Sequence, residues 1–247
     1  MGRAKDIIVK PIASKDANRI VKRLHYSGKI VNNSQLHLGA FLDGKCGGVM
    51  QFGPSFDKRR IQPLVKDTGW NQFLELNRLA FADWLPRNSE SRCIAYAMRF
   101  IKKHYPHVKW IISFADATQC GDGTIYRASG FKLTGITKNS SMIRLEDGSV
   151  VASMTYTKGK HILKQGGRAG IPKGATKLPD YQLRYIYFID KSALDRLTVP
   201  VIPFAEIEAR GISMYKGKKR VKHCGDAPGF QSGEGGSNPT HSLQKKG

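Results

Sequence analysis

The sequence predicts an α+β fold built on a mixed, mostly antiparallel sheet flanked by helices. Three observations lead there. Through the first 135 residues, short strand-like runs alternate with stretches whose apolar residues recur at helical spacing. An Asp43-Gly44 pair joins two alternating runs in the manner of a hairpin turn. Val108–Asp116 is apolar nearly throughout, as a strand buried on both faces is.

Asp6–Ile12 is a short apolar strand. A helix follows, with Ser14 placed to cap it, Ala17, Ile20, Val21 and Leu24 on one face, and Gly28 at its end. Gln35 to Phe52 supplies the two hairpin strands, and the polar, basic stretch Pro54–Gln72 reads as a loop. Phe73–Asp83 is the next strand. Pro86 and the polar Arg87–Ser91 lead into a helix whose stripe is Ile94, Ala97, Met98 and Ile101, and which Pro106 stops. After the buried strand come a short helix, Gly123–Gly130, and a strand, Phe131–Thr137. Residues 1–135 form the core in this reading. Residues 136–212 complete the same domain with a hairpin around Glu146-Asp147-Gly148, a Gly/Lys-rich loop, a strong strand at Tyr181–Asp190 and a short helix at Lys191–Leu197. Residues 213–247 form a basic tail rich in Gly and Ser, with too little apolar content to order itself.

Charge is the strongest bulk signal. Lys and Arg number 41 against 19 Asp and Glu, a net of +22 in 247 residues. A chain this basic expects a polyanion: DNA or RNA first, and an anionic membrane third, because no basic amphipathic helix with a broad apolar face is evident. No apolar run is long enough to span a bilayer and no secretory leader is visible, so the expected location is the cytoplasm. The cysteines, Cys46, Cys93, Cys120 and Cys224, form no C-x-x-C pair, so reduced thiols are expected and no metal site.

Candidate chemistry lies between Leu74 and Phe131. LELNRLAF, LPRNSES, RCIAYAMRFIKKHYP, WIISFAD, GTIYRASG and FKLTG follow one another there. That order resembles the core of the GCN5-related acetyltransferase superfamily: central strand, phosphate-binding turn, long helix, splayed strand, short helix, last strand. Tyr126, Gly130 and Phe131 resemble its closing motif, whose tyrosine often protonates the leaving thiolate. The turn departs from the superfamily, for Arg87-Asn88-Ser89-Glu90-Ser91-Arg92 holds no glycine to cradle the pyrophosphate of coenzyme A. A helix N-terminus with Arg87, Asn88, Ser89 and Ser91 still suits a phosphate-bearing donor. Ser113 neighbours it on the buried strand.

A narrower resemblance covers about residues 5 to 190. KRLHYSGK, ELNRLAF, SFAD and YRASGF together resemble the Mom family of bacteriophage Mu. That family converts adenine N6 of phage DNA to a carbamoylmethyl form and so blocks host restriction. The resemblance implies a phage or prophage origin and a catalytic set of His25, Tyr26, Arg78, Asp116 and Tyr126. It also implies double-stranded DNA with a flipped adenine as partner, and an activated acyl or aminoacyl donor, acetyl-coenzyme A being one possibility. Each residue has chemistry to match. Arg78 inside an apolar strand must find a partner, either a donor anion or a structural salt bridge to Asp116 or Glu75. Asp116, at a strand end, suits proton acceptance from the attacking amine. Tyr126, with an ordinary pKa near about 10, suits donation. His25 and Tyr26 suit stacking on an extruded base. Lys58, Arg59, Arg60, Lys158, Lys160, Lys164 and Arg168 suit the phosphate backbone, as does the run Lys216–Lys222. Two other functions fit the same sequence: a conventional acyl-coenzyme A-dependent N-acetyltransferase for protein or small amines, and a non-catalytic DNA-binding protein.

Overall fold

Alternating apolar runs fold into strands because one face of each can be buried at a time. In the computed structural model, residues 2–117, 121–139, 142–152, 173–177 and 180–210 are described. The main sheet takes β1 (Ile8–Pro11), β2 (Leu36–Leu42), β3 (Lys45–Gly53), β4 (Phe73–Phe81), β5 (Trp110–Asp116) and β6 (Lys132–Asn139). A small sheet takes β7 (Met142–Arg144), β8 (Val150–Ala152) and β9 (Thr176–Lys177), and β10 (Asp180–Phe188) returns to the main one. The helices are α1 (Ser14–Leu24), α2 (Lys58–Ile61), α3 (Ser89–His104), α4 (Thr124–Ala128) and α5 (Ala205–Ala209).

The seven strands of the main sheet lie in the order β1-β2-β3-β4-β5-β10-β6. Only β4 and β5 pair in parallel; the other neighbours are antiparallel. This is the expected fold class, and the implied order of strand, turn, long helix, splayed strand, short helix and last strand is present. The β2–β3 hairpin turns on Asp43 and Gly44, at φ 50° and 75°, the left-handed pair that a two-residue turn requires. β10 inserts between β5 and β6, so a strand distant in sequence closes the sheet.

Two helices cover opposite faces. The stripe of α3 (Cys93, Ile94, Ala97, Met98, Ile101) packs on the largest core, with Leu38, Met50, Phe52, Leu76, Ile111 and Leu183 from the sheet. On the other face, α1 lays Ala17, Ile20 and Val21 on Val49 and Ala80. Phe73 and Trp110 stack nearby at 4.4 Å between centroids, in a third cluster with Ile112, Ile186 and Phe188. No helix among the described residues is long and apolar enough to cross a membrane.

Several local expectations are corrected. Ser14 does not cap α1: Ala13 holds the capping position without a side-chain bond, and Ser14 is the first helical residue. The helix ends at Leu24, and Gly28 closes a separate turn by donating to His25 O at 2.9 Å. The loop after β3 contains α2, begun by Asp57, whose carboxylate accepts from Arg60 N–H. Lys191–Arg196 is a 3-10 turn rather than an α-helix, with Asp190 capping it. The tail 213–247 and most of the Gly/Lys-rich loop lie outside the described residues.

Candidate active site

In an ideal strand, residues three apart face opposite sides of the sheet. Glu75 and Arg78 are three apart on β4, yet they share a face. Phe52 pairs with Leu76 and Gln51 with Arg78, so Asn77 is an extra residue, a β-bulge. Its side chain is used at once: Asn77 Oδ1 accepts from Ser34 Oγ at 3.1 Å. Gly53 leaves the room for it, since a Cβ there would stand 2.8 Å from Asn77 Oδ1 and 2.6 Å from Asn33 O. The bulge thus turns an acid and a guanidinium toward the α1 face.

Arg78 is half-buried and tied to backbone. Its Nε donates to Lys29 O at 2.8 Å and its Nη1 to Asn77 O at 2.7 Å. Burial lowers the guanidinium pKa, while Tyr26 and then Glu75 act in the opposite sense. Glu75 accepts from Ser55 Oγ at 2.6 Å, and also from Asn77 and from the Phe56 N–H. Burial pushes its carboxyl above the usual range against those bonds and against the nearby Arg78 charge.

His25 caps α1, donating its N–H to Val21 O at 2.9 Å. Its ring lies 4.3 Å from that of Tyr26, tilted by 32°. Ser27 N–H donates to His25 Nδ1 at 3.2 Å, and Ser27 Oγ lies 2.8 Å from the same atom. A backbone donor needs a lone pair, so Nδ1 is the acceptor and the neutral ring carries its proton on Nε2. Burial, with the Arg78 charge added, lowers the pKa to about 4. At neutral pH, His25 is therefore a hydrogen-bond donor through Nε2 and not a base there. The structure brings His25, Tyr26, Arg78 and Glu75 into one electrostatic neighbourhood.

Asp116 and Tyr126 arise from the neighbouring strands. The parallel register of β4 with β5 stops at Glu75 and Ile112. Beyond it β4 stays on β3 and β5 stays on β10, so the two strands part. Ser113, fully buried, bridges the start of this opening by donating to Leu76 O at 3.3 Å. Asp116 ends β5 opposite Gln182. Strand alternation places it on the face of Ile112 and Phe114, away from the α3 core.

Tyr126 sits on the α3 side. Its ring packs against Tyr185 at 5.3 Å and Phe131 at 5.4 Å. Phe131 N–H donates to Tyr126 O at 3.0 Å and Gly130 N–H to Arg127 O at 3.1 Å. These are the two bonds of a Schellman stop, with its hydrophobic contact supplied by Tyr126 and Phe131. Gly130, at φ 83°, takes the left-handed position the motif needs. Tyr185 beneath is buried, and its hydroxyl donates to Asp122 O. Burial pushes that phenol far up, so it stays neutral.

The turn before α3 is made by Asn88, held left-handed at φ 68°, a conformation Asn tolerates better than most residues. Ser89 is buried and its hydroxyl donates to Pro86 O. Ser91 Oγ donates to Asn88 O at 3.2 Å, and Arg87 is exposed. Both hydroxyls thus serve the turn itself, while Arg87 and Asn88, just before α3, stay exposed.

Of the basic residues, Lys58, Arg59 and Arg60 form α2. Lys58 Nζ stands 4.6 Å over the Trp70 ring and donates to Asn71 Oδ1 at 3.1 Å. Lys158, Lys160, Lys164 and Arg168 lie outside the described residues, as does the run Lys216–Lys222. Among the described residues no group of three or more His, Cys, Asp or Glu is placed to hold a metal ion. Cys46 and Cys93 are free thiols, and burial pushes Cys93 up to about 12. Sequence reasoning gave Glu75 only as a possible partner of Arg78 and passed over Ser55 and Phe56. The one signal for Glu75 was an acid and an arginine at odd spacing in a strand, with an Asn between them.

A family model described as the Mom protein family matches residues 6–206. Methylcarbamoylase mom of Escherichia phage Mu is 38% identical over 200 residues, covering 78% of this chain and 80% of that protein. Among solved structures, an IAA acetyltransferase from Bacillus cereus ATCC 14579 aligns with a TM-score of 0.45 at 12% identity, over 74% of this chain and 99% of that one. The ribosomal-protein-S18-alanine N-acetyltransferase of Escherichia coli aligns with 0.44 at 13% identity, over 74% and 94%.

Proposed function

The chain belongs to the Mom protein family, and from that premise we propose that it is a transferase that converts adenine N6 in double-stranded DNA to its carbamoylmethyl form. The observation that carries this is the acceptor face where β4 and β5 part. His25, Tyr26 and Arg78, three residues the resemblance marks, meet there across 53 positions of sequence, from 25 to 78.

Adenine N6 is a weak nucleophile because its lone pair is delocalised into the ring. Inside a duplex it is also paired and stacked, so the base must be extruded. Tyr26, half-exposed beside His25, offers it a stacking surface. His25 Nε2–H donates to a ring nitrogen of the base. Arg78, held by two carbonyls, presents a fixed positive charge to the anionic part of the donor. As N6 attacks the donor's carbonyl carbon, the N–C bond forms and the bond to the leaving group breaks. Asp116 takes the N6 proton and Tyr126 protonates the leaving group.

The donor enters from the α3 side, which carries the turn with Arg87, Asn88, Ser89 and Ser91 and, by strand alternation from Ile111, Ser113. Acetyl transfer lacks the second nitrogen of the product. A glycyl group is an isomer of the carbamoylmethyl group, so an aminoacyl donor followed by rearrangement balances every atom: the N6–carbonyl and CH2–NH2 bonds break as the N6–CH2 and carbonyl–NH2 bonds form. Protection of the DNA from restriction follows, because the added group occupies the major-groove edge that a reader of adenine uses.

The test is to incubate the purified protein with DNA and candidate donors, digest the DNA, and weigh the nucleosides. A modified deoxyadenosine with one donor is expected. Its absence with every donor, and in DNA from cells expressing the protein, rules the proposal out.

A further inference from the structure

Phe56 has no internal role. It is 100% exposed, at the tip between β3 and α2. Single exposed apolar residues are ordinary, but this one stands on a rigid mount. Pro54 O accepts from Asn33 Nδ2 at 3.2 Å. Ser55 is buried and its hydroxyl donates to Glu75 at 2.6 Å. The Phe56 N–H donates to the same carboxylate. Asp57, next in the chain, caps α2. The backbone is thus fastened on both sides of a ring that touches solvent alone.

Its surroundings are cationic and aromatic. Lys58, Arg59 and Arg60 follow it directly, and Trp70, 51% exposed, lies under Lys58. A groove of about 600 Å³ runs beside it, between Ser55, Lys58, Trp70 and His107. Glu75, which holds the mount, lies within electrostatic reach of Arg78. Mount and acceptor face are therefore built on one strand.

We propose that Phe56 is a wedge that enters the base stack of bound duplex DNA and fills the space the extruded adenine leaves. This rests on the adenine-modifying function above. Extrusion forfeits stacking on both sides of the target, and an inserted apolar ring returns part of it while spreading the step. A wedge needs an apolar ring on a fastened backbone, close to cations and on a mount shared with the strand that carries Arg78. Phe56 meets each condition. A phenyl group cannot bind phosphate, and the three cations beside it favour a nucleic acid over an apolar protein patch.

The test compares wild type, Phe56→Ala and Phe56→Trp. Duplex affinity, fluorescence of 2-aminopurine placed in the duplex, and modified deoxyadenosine in DNA from expressing cells are measured. The alanine variant is expected to bind duplex within about twofold of wild type, because the phosphate contacts remain. It should lose most of the fluorescence rise and lower modification at least about tenfold, with the tryptophan variant restoring both. Equal fluorescence and modification in wild type and Phe56→Ala overturn the wedge and leave the proposed function standing. A wild type that raises the fluorescence through Phe56 and modifies nothing overturns the adenine-modifying function and leaves the wedge standing.

Discussion

Arg78 is both a charge and a tie. It joins Lys29, beyond α1, to Asn77, inside β4. Lysine keeps the charge but lacks the planar fork that reaches two carbonyls at once. Arg78→Lys is expected to lower stability by about 1–2 kcal/mol, the worth of two such bonds in a half-buried site, seen as a lower urea midpoint. Modified deoxyadenosine should fall by at least about tenfold; full modification at an unchanged midpoint would contradict the role. His25 makes a prediction in pH. Its folded pKa, about 4, lies below its ordinary 6.5. Between those values the folded protein binds fewer protons than the unfolded chain, so stability is complete above pH 6.5 and declines as pH falls toward 4. After discounting for a ring that solvent partly screens, the loss is about 1–2 kcal/mol. His25→Gln should flatten the stability curve in this window; an unchanged slope would show that another group titrates.

Elements explain why some of the site was legible and some was not. Tyr126, Gly130 and Phe131 stand at the third-last, first-beyond and second-beyond positions of a short helix and its stop. Their spacing is the spacing of a Schellman motif, so local chemistry alone lets it be read. Gly130→Ala places a Cβ at φ 83°. It is expected to lower stability by about 1 kcal/mol and to loosen the Tyr126 ring from Phe131. Thermal melting and modification should fall together; a variant that melts lower yet modifies fully would separate Tyr126 from that stop. The Asn77 bulge was not legible. A regular two-residue period would put Glu75 and Arg78 on opposite faces, and only pairing with Gln51 and Phe52 shows that they share one. The capping role given to Ser14 failed for a related reason: the chain entered the helix one residue earlier, at Ala13.

At the scale of the molecule, topology and charge divide what sequence can tell. Each main-sheet strand was visible as a run, but the order was not. β10 reaches its place between β5 and β6 from more than 40 residues beyond β6, and such closure depends on tertiary packing rather than on any local signal. The net charge of +22 was legible and points to a polyanion, without saying which surface meets it. The mount that links Phe56 to Glu75 offers one: α2 follows it directly, so Lys58, Arg59 and Arg60 stand beside that mount. If these three neutralise phosphates, each releases counterions, and the logarithm of affinity depends on the logarithm of salt with a slope of about −0.9 per contact. Replacing all three with glutamine should then make the slope shallower by about 2.7 units, roughly equally for any duplex sequence. The fold should be unaffected, since Arg59 and Arg60 are exposed and Lys58 is only half-buried. A slope unchanged by the triple substitution would move the phosphate contacts away from α2.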